Sequence, residues 1–308
     1  MPRGRADWPT ACRACKSPSE AVARAARERS EQERDWRRGD ATGCRSVRAC
    51  HAWRMELAGR VALVTGGAHR VGRAIALELA AAGAAVAIAY RRSEDQAAET
   101  VTELRGCGVG AGAFKTDLAA PAEAAGLAEA VAGRLGPVDA LVNSASWFAR
   151  DEFPSDDTDT WYRTLDVVLH GPFHLINAVA PSMLERGGGA IVNIVDLSAW
   201  QPWPGRAAHS VAKAALLALT RQVAVELAPT VRCNAVALGP TIAPAKFGPD
   251  QVERLRRRTL LGRWSGGPEA GRAVRYLLEA GAVTGECLTV DGGEQYGHVR
   301  DRFTDTAG

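Results

Sequence analysis

A short apolar run from Val61 to Thr65 ends in Gly66-Gly67-Ala68-His69-Arg70-Val71-Gly72, and a helical pattern opens directly behind it. A glycine-rich turn between strand and helix presents backbone N–H groups and a helix N-terminus to an anion, so this spacing suits a dinucleotide pyrophosphate; a plain tight connection is the other use of such residues. A P-loop is excluded, because no Gly-Lys-Ser/Thr closes the turn. The second apolar run ends in Tyr90-Arg91-Arg92-Ser93, where an NAD-selective site would carry an Asp or Glu for the ribose hydroxyls. Two guanidiniums and a hydroxyl at a helix start suit a 2′-phosphate, which favours NADP(H) as the cofactor over a merely solvated Arg pair. Asp117, just after the third run, is placed either to hydrogen-bond adenine or to cap the next helix.

Such groups need strands and helices to hold them, and the apolar pattern supplies both. Strands are expected over 61–65, 86–90, 111–115, 140–143, 190–195, 232–237 and 286–290. Helices are expected over 71–82, closed by Gly83, over 93–105 with Ser93 as N-cap, and over 121–134 with Pro at the start. A long helix over 158–186, one over 209–227 and a pair within 249–280 complete the alternation. Strands apolar on both faces and separated by helices belong to a parallel sheet covered on both sides. The expected fold is therefore α/β, a Rossmann-type doubly wound sheet in a single domain spanning 55–308.

At 308 residues, 46% hydrophobic and 24% charged, the chain has an ordinary globular composition. It holds no run of about 18 consecutive apolar residues, so no membrane partner is expected. The net charge of +3 hides an asymmetry: residues 1–54 carry 13 Lys and Arg against 7 Asp and Glu, and the remainder 25 against 28. A basic excess confined to one end and interrupted by acids forms no stripe for nucleic acid. That end lacks apolar periodicity and reads as a disordered tail or as an over-extended reading frame ahead of a natural start at Met55; Glu20, Glu28, Glu31, Glu33 and Asp35 argue against a transit peptide. No metal is expected. Cys12-x-x-Cys15 lacks a second pair, and His170 and His174 flank Pro172 and Phe173 as helix-face residues. Asp156, Asp157 and Asp159 read as the charged start of a helix. An odd cysteine count without a secretory signal fits the reducing cytoplasm.

Further segments follow in order: Leu141-Val142-Asn143-Ser144-Ala145-Ser146, Ile191-Val192-Asn193-Ile194, Lys213-Ala214-Ala215-Leu216, Asn234-Ala235-Val236-Ala237, and Thr284-Gly285-Glu286 running on to Asp291-Gly292-Gly293. With the glycine turn, they make the chain resemble the short-chain dehydrogenase/reductases from about residue 57 to residue 293. Three details resemble the pteridine reductases within that family. Arg70 replaces the central glycine of the turn, Asn143 to Phe148 is similar to a stretch of that subgroup, and Asp196, followed by Gln201-Pro202 and Gly205, stands where the wider family has its catalytic Ser.

The resemblance implies a small-molecule substrate, no nucleic acid and a homotetramer or homodimer. It also implies a cofactor site made of Thr65, Gly66, His69, Arg70, Val71, Gly72, Arg91, Arg92, Ser93, Asp117, Leu118, Asn143, Ala145, Ser146, Lys213, Gly239 and Thr241. Arg70, Ser146, Phe148 and Asp196 would meet a planar substrate, and Lys213 would hold the nicotinamide ribose and favour ionisation of a neighbouring acid. Two positions depart. The family's Tyr-x-x-x-Lys reads His209-Ser210-Val211-Ala212-Lys213, and Val-Asn-Leu-x-Gly reads Val167-Val168-Leu169-His170-Gly171. An imidazolium gives up a proton at neutral pH more readily than a phenol of pKa about 10. His209 can therefore replace the tyrosine, with Asp196 favouring the protonated ring and Lys213 opposing it, although its reach is shorter. The expected catalytic set is Asp196, His209 and Lys213, reducing a C=N or C=O bond. A 3-oxoacyl or other carbonyl reductase, and a cofactor-binding protein with little turnover, are the alternatives.

Overall fold

A computed structural model describes residues 55–297. The expectations for residues 1–54, including Cys12 and Cys15, lie outside the described residues. Seven parallel strands form one sheet in the order β3-β2-β1-β4-β5-β6-β7. They are β1 (Val61–Thr65), β2 (Ala85–Tyr90), β3 (Ala111–Lys115), β4 (Ala140–Asn143), β5 (Gly189–Asp196), β6 (Val231–Leu238) and β7 (Cys287–Val290). The helices are α1 (Arg70–Ala81), α2 (Glu94–Gly106), α3 (Pro121–Leu135), α4 (Thr158–Leu165), α5 (Gly171–Glu185), α6 (Ala207–Leu227), α7 (Pro249–Arg258) and α8 (Gly267–Glu279).

The period-2 alternation of strand side chains divides the core. Ala62, Val64, Val86 and Ile88 turn toward Ile75 and Leu79 of α1, Val101 and Leu104 of α2, and Val274 and Leu278 of α8. Val61, Leu63, Leu141 and Ile191 turn the other way, onto Leu127 and Val131 of α3 and Leu175, Val179 and Met183 of α5. Each such Leu, Ile or Val removed from water contributes roughly 1.5–3 kcal/mol, so both helical layers are locked to the sheet. The chain runs outward from β1 through β2 to β3 and then returns to β4 beside β1. That reversal opens a crevice at the carboxyl ends of β1 and β4, the place where doubly wound sheets bind ligands.

The expected long helix is interrupted. Residues Asp166–His170 form a π-turn in which the Gly171 N–H bonds back to the Asp166 carbonyl. Pro172, next in line, has no N–H to offer the Val168 carbonyl, which accounts for the wider turn at this point. By length and composition alone, Thr158–Glu185 would pass for a membrane span, yet Val168, Leu175, Ile176, Val179 and Met183 are buried in the fold. Asp157 caps α4, accepting from the Thr160 N–H at 3.0 Å, and His170 Nδ1 lies 2.8 Å from Asp166.

Candidate active site

The glycine turn after β1 is held tight. Gly66 has φ +66°, and a Cβ there would meet the Ala145 backbone at 3.0 Å; a Cβ on Gly72 would fall 2.2 Å from the Gly66 carbonyl oxygen. Only glycines allow the turn to fold back under β4, and α1 starts at Arg70 just beyond it. The Thr65 hydroxyl accepts from the N–H groups of Ser144 and Ala145, both at 3.0 Å, and so staples the ends of β1 and β4 together. Thr65 and Asn143 are the two expected site residues that do not reach the wall of the cleft, which has a volume of about 1300 Å³. The Asn143 amide instead donates to Asn193 at 2.8 Å inside the sheet. All other expected positions line the cleft.

At the end of β2 the two arginines differ. Arg91 faces Asp117 at 3.7 Å and lies 4.9 Å from the Trp147 ring centroid. Arg92 is exposed, on the cleft wall and without an ion pair among the described residues. Ser93 stands at the N-cap position of α2 but makes no capping bond, because its ψ of 65° leaves the extended range; the expected cap is corrected to a free hydroxyl at the cleft. The Asp117 carboxylate accepts from Arg163 Nη2 at 2.9 and 2.8 Å and from the Ala119 N–H at 3.1 Å. It does not cap the next helix, as α3 starts at Pro121 with Ala120 at its N-cap. The Arg70 guanidinium donates to the carbonyls of Ile242 at 2.8 Å and Ala243 at 3.3 Å, in the segment that covers the cleft.

Deeper in the cleft, β5 ends at Asp196 and α6 brings His209 and Lys213 up beside it. His209 Nε2 lies 2.7 Å from Asp196 Oδ2. The other carboxylate oxygen accepts from the backbone N–H and the hydroxyl of Ser198. Lys213 Nζ donates to the Ile194 carbonyl at 2.7 Å. Burial pushes the Asp196 carboxyl up, but the His209 hydrogen bond and the Lys213 and His209 charges together hold it below the ordinary value. Burial lowers the Lys213 ammonium, against the opposing pull of Asp196. His209 and Asp196 both line the cleft, but the imidazole is 2% exposed and the carboxylate 17%, so Asp196 is the more open member of the pair. Val168, where the resemblance expects an Asn, is fully buried and adds no polar group.

Sequence reasoning missed the frame around this pair. Trp203 stacks on His209 at 6.1 Å between centroids, and Phe148 meets the same ring edge-on at 4.7 Å. The Arg91 and Arg163 guanidiniums both approach the Trp147 ring, at 4.9 and 5.7 Å from its centroid, and Arg206 covers Phe148 at 4.3 Å. The available signal was Trp147 between Ser146 and Phe148, Trp203 next to Pro202, and an arginine three positions before His209.

The residues present fit a phosphorylated dinucleotide: a turn packed too closely for side chains at Gly66 and Gly72, an Arg92 exposed on the cleft wall without an ion pair among the described residues, and a buried ammonium on Lys213. The family described as Enoyl-(Acyl carrier protein) reductase matches residues 66–295. A 3-oxoacyl-[acyl-carrier-protein] reductase FabG of Staphylococcus epidermidis is 32% identical over 237 residues, covering 75% of this chain and 97% of its own. The structure of FolM alternative dihydrofolate reductase 1 from Brucella canis, complexed with NADP, is 36% identical with a TM-score of 0.73, covering 78% of this chain and 95% of its own. A blue fluorescent protein from a metagenomic library, in complex with NADPH, is 33% identical with a TM-score of 0.73, covering 78% and 99%.

Proposed function

This chain belongs to the short-chain dehydrogenase/reductase family, and from that premise we propose that it is an NADPH-dependent oxidoreductase that reduces a C=N or C=O bond of a small planar substrate. The observation that carries the reading is the 2.7 Å contact between His209 Nε2 and Asp196 Oδ2 at the floor of the cleft. NADPH, when bound, supplies the hydride. The turn from Gly66 to Gly72 and Arg92 bind the phosphates, and Lys213 holds the ribose and keeps Asp196 ionised at rest. Asp196 and His209 together supply the proton across their hydrogen bond. As negative charge builds on the substrate nitrogen or oxygen, that proton passes to it from the Asp196 side, and the pair refills from solvent. Phe148 and Trp203 cover the imidazole and exclude water.

An acid facing the cleft from the family's Ser position supports a pteridine-type substrate, as does likeness to a protein named an alternative dihydrofolate reductase. The FabG relative favours a second reading, a 3-oxoacyl reductase. NADPH oxidation by the full chain, with a dihydropterin and a 3-oxoacyl thioester side by side, separates the two. His209→Ala should lower turnover about 100-fold or more, and unchanged turnover would remove His209 from the chemistry. Bound NADPH without turnover in the native protein, with activity appearing in His209→Tyr, would establish a binding protein that has lost the reaction. Free thiols at Cys107, Cys233 and Cys287 suit a cytoplasmic setting. Tyr162, Phe173 and Val225, exposed on α4, α5 and α6, suit a dimer or tetramer.

A further inference from the structure

Arg206 immediately precedes α6, and its side chain forms part of the cleft wall. The guanidinium lies 4.3 Å above the centroid of Phe148, and Phe148 in turn meets His209 at 4.7 Å. One aromatic ring therefore separates this cation from the proton-bearing pair. Nη1 is buried and has no hydrogen-bond partner. No carboxylate stands within ion-pair distance of it among the described residues. Asp151 attracts it and Arg150 repels it; one Asp151 oxygen accepts the Ala208 N–H at 2.7 Å, and the other is itself buried without a partner, beyond ion-pair distance of the guanidinium. A buried N–H left without an acceptor is costly, more so when it is charged, and native proteins rarely leave one so. The missing acceptor is supplied if it enters with the ligand. A planar guanidinium backed by a ring presents its N–H fork in one plane, the geometry that a carboxylate matches with two oxygens.

We propose that Arg206 anchors a carboxylate carried by the substrate, across Phe148 from the bond to be reduced, so that the protein selects anionic over neutral compounds. This rests on the reductase reading for the identity of the ligand as substrate. The test is calorimetric and needs no turnover: benzoate and its neutral isostere benzamide are titrated into the full-length protein saturated with NADP+. Benzoate should bind about 10-fold or more tightly than benzamide, with the ratio falling to about one in Arg206→Gln and to an intermediate value in Arg206→Lys, which keeps the charge and loses the fork. A ratio near one in the native protein overturns the proposal, and that arm depends on no variant folding. A preference that survives in Arg206→Gln also overturns it, since another cation would then hold the anion. If NADP+ itself produces no binding heat, the reductase reading fails, and the same titrations on the free protein still decide the role of Arg206.

Discussion

The cleft has two ends that are built differently. At the proposed cofactor end, backbone shapes the site: the turn after β1 is tight because Gly66 and Gly72 leave no room for a Cβ, and Arg92 needs only to follow β2. At the reaction end, side chains from separate elements do it: Asp196 from the end of β5, His209 and Lys213 from α6, and Phe148 from the loop after β4. Where backbone geometry sets the site, Gly66 and Gly72 are kept and Arg70 alone replaces a glycine of the turn; where side chains set it, the family's Tyr and Ser give way to His209 and Asp196. Gly66 and Gly72 leave no room for a Cβ, whereas a cluster of side chains can exchange members, as where His209 Nε2 meets Asp196 while its Nδ1 stays buried without a partner.

Lys213 belongs to both ends and gives the largest expected effect. Lys213→Ala removes the ammonium that helps keep Asp196 ionised and the donor that would meet the ribose. Turnover should fall about 1000-fold and NADPH affinity should drop with it, as measured by steady-state kinetics and by titration of cofactor fluorescence. Unchanged kinetics would remove Lys213 from the mechanism. Arg92→Ala confines the damage to the cofactor end. It should weaken NADPH relative to NADH about 10-fold, the scale of one charge-assisted contact, with KM for the carbonyl or imine substrate unaltered. An equal loss for both cofactors would move the 2′-phosphate away from Arg92, leaving Arg91 to release Asp117 and take its place.

The same division governs how much could be read from sequence. The strands at 61–65, 111–115 and 140–143 agree with their expected bounds, because short apolar runs between glycine and proline signals are local features. The π-turn at Asp166–His170 had a visible cause in Pro172, but the apolar periodicity on either side continued through it and hid the break. His209, Lys213 and Asp196 came from the family resemblance, as positions in its motifs. The cluster of Asp117, Arg163, Arg91 and Trp147 was not legible, since Asp117 and Arg163 stand 46 residues apart and meet only when α4 folds over the end of β3. The same holds for Trp203 on His209: a stacked pair across a loop leaves no periodic trace.

Arg70 joins the two ends, and it gives the smallest expected effect on stability. Its backbone sits in the cofactor turn at φ +54°, a left-handed conformation for a residue with a Cβ, which costs roughly 1–2 kcal/mol. Its guanidinium reaches the Ile242 and Ala243 carbonyls of the covering segment, and such bonds return a net amount of about 1 kcal/mol each. Arg70→Gly gives up both the strain and the bonds, so thermal unfolding should move by less than about 1 kcal/mol, or about 3 °C for a domain of this size. Arg70→Ala keeps the strain while losing the bonds and should be less stable than Arg70→Gly by about 1 kcal/mol. Both variants should raise the substrate KM, because the covering segment loses its tie to the turn. If Ala and Gly prove equally stable, the left-handed backbone at this position carries no strain, and the turn is shaped by its glycines alone.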